Sequence, residues 1–195
     1  MCAAKNTGIF SEEWIEKWKP YKRVGEPLPG TRMIVFKTPV EKSLLGNLLP
    51  KEDLFGIDDL FNEVESRGYT LGTIIDLTYK TNLYYDYKDV IGRGVEYVKI
   101  PISGQQSGAG QCSPPGDELV DKFFLAVDRF IDQNVENEKL IGVHCTQGIN
   151  RSGYMVCRYM IDRMGMDPGD VIEAFTKARG HRIEAELYLE DLNPV

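Results

Sequence analysis

The sequence is short of the residues that build metal sites and disulfide scaffolds. Its 195 residues include four cysteines, Cys2, Cys112, Cys145 and Cys157, and two histidines. The cysteines form no CxxC pair and no dense framework. No HExxH run and no carboxylate triad at ligand spacing is present, so neither a metal nor a cofactor is expected. No apolar run approaches the roughly 18 residues of a membrane-spanning helix, and no membrane partner is expected. The N-terminus lacks the basic-then-apolar pattern of a secretory signal, which points to an intracellular protein of the nucleus and/or cytoplasm, where a thiol stays reduced. Positive charge is also scarce. A net charge of −7 argues against a general nucleic-acid binder, and against DNA as a partner. Repeats and convincing linkers are missing, so residues 1–195 are read as one domain; a monomer is expected.

What is present has the composition of a folded globule, 42% hydrophobic and 27% charged. Residues 1–30 are mixed, and read as an arm packed on the surface, with Trp14, Trp18 and Tyr21 filling grooves. Beyond them, strand and helix patterns alternate. Met33–Phe36, Thr73–Leu77, Glu96–Ile100 and the apolar run 140–143 read as strands. Asp53–Glu65 reads as a helix. Leu119, Val120, Phe123, Phe124, Val127, Phe130 and Ile131 recur at helical spacing, which predicts an amphipathic helix over 117–133. Asp167 followed by Pro168 is a helix start signal for a segment carrying Val171, Ile172, Ala174, Phe175 and Ala178. The alternation predicts an α/β fold, a central mostly parallel sheet flanked by helices.

The chemistry lies in one run, from His144 through Cys145, Thr146, Gln147, Gly148, Ile149, Asn150, Arg151 and Ser152 to Gly153. It joins a strand-like run to a helix-like one that ends near Gly165. A helix N-terminus offers unpaired N–H groups and the positive end of the helix dipole, and so an anion site. Gly148 lets the backbone approach an anion closely. Arg151 adds a fork of donors that matches phosphate oxygens. A cysteine in this position is activated, because the thiolate is the attacking species. Ser152 can donate to the sulfur, and His144 can orient the loop through its ring nitrogens. A cysteine that is merely buried needs none of these neighbours. Ligands of open α/β sheets collect at the carboxyl ends of the strands. There Lys37 can hold a phosphate beyond the one attacked, or be a solvated lysine. Asp76 can orient the loop or Arg151, exchange protons, or cap a turn. Arg151, Arg158, Arg163, Lys177, Arg179 and Arg182 crowd one C-terminal stretch, which suggests positive potential focused on one cleft.

The His-Cys-(five residues)-Arg-Ser run resembles the signature of the cysteine-dependent phosphatase superfamily. More narrowly the chain resembles its RNA 5′-triphosphatase branch, which includes the triphosphatase domain of metazoan capping enzymes and related viral RNA phosphatases. The resemblance extends over Gly30–Arg32 with Val35–Pro39, Ile74–Thr78 with Tyr84–Tyr85, Leu140–Thr146, Tyr154–Tyr159, and Arg179–His181 with Ile183–Glu184, about residues 14 to 192. It implies the cysteine-phosphatase fold and no metal. It makes Cys145 the nucleophile, with Arg151, Asp76, Ser152 and His144 as catalytic residues. Phosphate would be held by Thr146, Gln147, Gly148, Ile149, Asn150, Lys37 and Arg182. The partners implied are RNA 5′ ends carrying tri- or diphosphate, and removal of the second phosphate is implied as well.

The sequence also departs from that branch. Its usual histidine two positions after the nucleophile is Gln147, its usual threonine after the loop arginine is Ser152, and an expected arginine is Ala185, which Arg182 would have to replace. Asn82 and Leu83 stand where a cation is common. In the wider superfamily an aspartic acid after the strand at Glu96–Ile100 protonates the leaving oxygen. Here Pro101–Gln106 hold no acid, and the first, Asp117, reads more simply as a helix cap. A tyrosine leaving group has a pKa of about 10 and needs that proton. A terminal phosphate, at roughly 6, does not. The expected activity is therefore an RNA 5′-tri- and diphosphatase; the alternative is a dual-specificity protein phosphatase using Asp117 or another acid in 101–117. Cys112 is placed in that loop, where it can meet an oxidised Cys145. No Lys-x-Asp-Gly motif is present, so no capping transferase activity is expected.

Overall fold

The structure, a computed structural model, describes residues 10–46, 48–104 and 113–194. Its centre is a five-stranded sheet in the order β1 (Val24–Pro27), β2 (Met33–Lys37), β5 (Leu140–Cys145), β3 (Leu71–Asp76) and β4 (Glu96–Lys99). All neighbours pair in parallel except β1, which runs antiparallel along the edge against β2. The parallel α/β reading therefore holds. The structure adds β1, which lies within the segment read as an arm.

Strand β5 is central, and all of its residues are buried. Its apolar run continues one pair further than the sequence pattern suggested, so that His144 and Cys145 are still strand residues. In a strand, successive side chains face opposite sides. Val35, Ile75 and Val143 thus join the core formed with α5 (Asp117–Gln133), α6 (Asn150–Asp162), α7 (Pro168–Arg179) and α8 (Glu186–Leu192). Ile34, Phe36 and Ile74 join the opposite core with α1 (Glu12–Trp18), α2 (Lys42–Leu45), α3 (Ile57–Ser66) and α4 (Lys88–Ile91).

Helix α5 covers the span its periodicity predicted. The Asp167 carboxylate accepts from the Gly169 and Asp170 amides (2.9 and 3.2 Å) ahead of α7, as the Asp-Pro start signal implied. Helix α3 starts later than the pattern suggested. Asp53 belongs to a separate 3₁₀ turn and pairs with Lys19 at 2.7 Å, whereas the Asp59 carboxylate accepts from the Gly56 amide at 2.7 Å and marks the true start. The segment read as an arm is built into the fold: Trp18 is fully buried, and its indole Nε1 donates to the Thr38 carbonyl (3.1 Å).

Candidate active site

The end of β5 and the start of α6 are joined by Thr146–Ile149, a loop lying across the carboxyl ends of the parallel strands. Cys145 is 2% exposed. Burial alone pushes its thiol up, but the charge of Arg151, the hydroxyl of Ser152 and the amides of Ser152 and Ile149 outweigh it, and the thiol lies below its ordinary value. These surroundings favour a thiolate. Ser152 Oγ is buried with no partner of its own, which leaves the sulfur as the group it serves.

Arg151 links the loop to its neighbours. Its Nη1 donates to the carbonyls of Ile102 (2.9 Å) and Leu77 (3.3 Å), beyond β4 and β3, and its Nη2 donates to Thr146 Oγ1 (2.9 Å). Gly148 is needed for a reason the sequence did not show. Its φ is +69°, and a Cβ there would lie 2.3 Å from the Phe36 carbonyl oxygen. The close approach is to strand β2.

His144 is wholly buried and stacks on Phe36. Its Nδ1 lies 3.2 Å from the Cys145 carbonyl, which only accepts, so Nδ1 carries the proton. Nε2 then accepts from the Tyr85 hydroxyl at 2.7 Å. Burial lowers its pKa, which keeps it neutral at physiological pH. The ring is thereby fixed between the Cys145 carbonyl and the Tyr85 hydroxyl. Asp76 lies beside it, with Oδ1 3.7 Å from Nε2. The Asp76 carboxylate accepts from the Thr78 amide (2.7 Å), the Tyr97 hydroxyl (2.6 Å) and Lys99 Nζ (2.8 Å). Burial raises its pKa, but the charge and hydrogen bond of Lys99 and the hydroxyl of Tyr97 act against this, and the group lies below its ordinary value and stays ionised. Among the described residues it makes no hydrogen bond to Arg151.

The remaining candidates disperse. The Gln147 amide donates to the Lys17 carbonyl (3.1 Å), while Asn150 Oδ1 accepts from the amides of Glu184 (2.8 Å) and Ala185 (3.0 Å). Lys37 is not a solvated lysine. It is 3% exposed, its Nζ sits 3.7 Å from the Trp18 ring centroid, and it donates to the Trp18 and Lys19 carbonyls at 3.4 Å. Arg182 is exposed and, among the described residues, makes no hydrogen bond or ion pair. The basic stretch is likewise divided. Arg158 pairs with Asp162 and Asp191, Arg163 with Asp128, and Arg179 is buried beneath the loop. Asp117 is the first residue of α5, not its cap, which is Gly116. The Cys112 expectation falls outside the described residues. Cys157 is buried and burial pushes its thiol up to about 12, the mark of an inert cysteine.

The reading of the sequence missed Arg179, Tyr84 and Tyr85 as members of the site. Tyr84 receives a hydrogen bond from Thr146 and stacks on Trp14 of α1. For Tyr84 and Tyr85 the only signal was membership of the segments that carried the resemblance; Arg179 also stood among the cations of the basic C-terminal stretch.

The family model described as dual specificity phosphatase, catalytic domain, matches residues 63–193. The chain belongs to this family. It is a cysteine-dependent phosphatase, with α1, β1, β2, α2 and the first part of α3 lying ahead of the matched span. Over 177 residues the chain is 48% identical to the human RNA/RNP complex-1-interacting phosphatase, covering 91% of this chain and 51% of that protein. It is 36% identical to the tyrosine-protein phosphatase of Autographa californica nuclear polyhedrosis virus, covering 90% and 96%. The chain thus spans about half the length of the first of these relatives. The crystal structure of PTPMT1 superposes with a TM-score of 0.55 at 20% identity, over 87% of this chain and 90% of that one, which establishes the shared fold.

Proposed function

We propose that this phosphatase removes the γ-phosphate, and then the β-phosphate, from RNA 5′ ends without a metal. The Cys145 thiolate attacks the terminal phosphorus in line. The S–P bond forms as the bond to the bridging oxygen breaks, and the shortened RNA leaves with that oxygen's electron pair. Loop amides and Arg151 hold the equatorial oxygens. Water then hydrolyses the phosphocysteine to phosphate and thiolate.

The observation that carries this reading is the lack of a general acid. From residue 100 to residue 116 the chain has no Asp, Glu or His. Asp117, the first acid beyond, is committed to the first turn of α5. A leaving phosphate with a pKa of roughly 6 departs unaided, whereas a phenolic or alcoholic oxygen needs a proton. The name of the human relative, which associates that protein with an RNA/RNP complex, supports the choice of RNA. In this reading Lys37, Arg182 and Asp76 act around the polyphosphate and the loop, and Gln147 and Ala185 set how many phosphates are removed.

The test is phosphate release from 5′-triphosphate RNA with EDTA present, beside Cys145→Ser and beside a phosphotyrosine peptide. The expected result is EDTA-resistant release that Cys145→Ser abolishes, with slow turnover of the peptide. Faster turnover of the peptide than of the RNA would overturn the substrate assignment and favour the protein-phosphatase activity for which the family is named. A fully active Cys145→Ser would overturn the mechanism.

A further inference from the structure

Arg179 closes α7, and Gly180 follows it in the left-handed conformation (φ 77°). The side chain is 1% exposed. Its Nε donates to the Gly148 carbonyl (2.9 Å), and its Nη2 donates to the carbonyls of Gln147 (2.9 Å) and Lys22 (2.6 Å). One guanidinium therefore joins α7, the phosphate loop and the segment that follows α1.

The consequence for the loop follows from peptide geometry. In a trans peptide the carbonyl of one residue and the N–H of the next point in opposite directions. Holding the Gln147 and Gly148 carbonyls on the Arg179 side turns the amides of Gly148 and Ile149 the other way. The Ile149 amide is one of the donors that lowers the Cys145 thiol. Arg179 thus acts on the sulfur through the two peptides it grips.

Its charge has no ordinary counter-ion. Among the described residues no carboxylate lies within ion-pair distance of it, and Nη1 is buried without a partner. Burial lowers its pKa to about 10, so it remains protonated at neutral pH, and the Cys145 thiolate is the first anion that raises it. A buried cation without a carboxylate partner is costly unless another anion compensates it.

We infer that Arg179 is a positioning residue of the phosphatase reaction, which aims the Gly148 and Ile149 amides at the phosphate and supplies buried positive charge to the thiolate. This role is independent of whether the substrate is RNA.

The experiment compares wild type, Arg179→Lys and Arg179→Met in the rate of Cys145 alkylation by iodoacetamide against pH, and in protection of Cys145 by inorganic sulfate. Thermal melting and circular dichroism establish that each variant is folded. The Lys variant keeps the charge and loses the fork. Its alkylation midpoint stays near wild type, while protection needs about tenfold more sulfate. In the Met variant the midpoint also rises by about one pH unit. A merely structural arginine would lower the melting temperature and leave both readouts of the folded protein in place. If the Met variant does not fold, the Lys variant decides alone, and unchanged sulfate protection overturns the inference.

Discussion

Gly148→Ala and Gly165→Ala separate two costs that glycine positions usually combine. Both glycines have nearly the same left-handed backbone, φ +69° and +67°. At Gly165 an added Cβ meets nothing within 4 Å, whereas at Gly148 it would lie 2.3 Å from the Phe36 oxygen and 2.6 Å from its carbonyl carbon. For Gly165→Ala only the conformational penalty applies, about 1–2 kcal/mol. Gly148→Ala adds overpacking against a backbone that cannot step aside. The end of β2 is fixed there, with the Lys37 amide donating to Arg23 and the Thr38 amide to Thr146, both at 3.0 Å. Overpacking of this kind costs about 1–3 kcal/mol more. Urea unfolding of both variants should therefore give roughly 2–5 kcal/mol lost for Gly148→Ala against about 1–2 for Gly165→Ala. Activity should separate them further. A phosphate loop lifted off β2 misplaces Cys145 and its amides, and a displacement near 1 Å is enough to lose on the order of a hundredfold in kcat/KM, while Gly165→Ala stays close to wild type. Equal destabilisation of the two, or a fully active Gly148→Ala, would refute the claim that the loop rests on β2.

Lys37 gives a prediction with a defined pH window. Burial first, and then Arg23 and Arg179, push its pKa down to about 7. In the unfolded chain it is about 10.4, so between those values the unfolded state holds a proton that the folded state has released, and stability rises with pH. Below the window both states are protonated and the burial penalty is present in full. Lys37→Met should remove this slope, gaining on the order of 3 kcal/mol over wild type at pH 6, with the advantage vanishing toward pH 10. Parallel stability curves from urea titrations across that range would show the shift to be absent. Ser152→Ala should raise the alkylation midpoint of Cys145 and slow turnover, and should cost stability only above the wild-type midpoint, where the hydroxyl serves a buried thiolate. An unmoved midpoint would remove Ser152 from the account of the thiolate.

The sequence by itself determined the parts of this protein that are encoded over short spans. The candidate nucleophile, the arginine and the turn proposed to bind an anion lie within one run of ten residues, because a strand end, a loop and a helix start are consecutive pieces of chain. The limits of α5 followed from helical periodicity, and the start of α7 from an aspartate next to a proline. The absence of an acid between residues 100 and 116 is likewise a property of the string. The tertiary structure decided what depends on distant segments meeting. Lys37, in register with Cys145 on the neighbouring strand, is buried against Trp18 only because α1 packs there. Edge strand β1 was not legible in a segment rich in proline and charge, because its pairing to β2 is what makes it a strand. Gly148 looked like an accommodation to phosphate until the Phe36 carbonyl was seen beneath it. Arg179 looked like one cation in a basic stretch, and only the fold carries it 31 residues back along the chain to the loop it grips. Hydrophobic period and capping chemistry act between near neighbours and can be read in order, whereas the partners of a buried charge are chosen by packing.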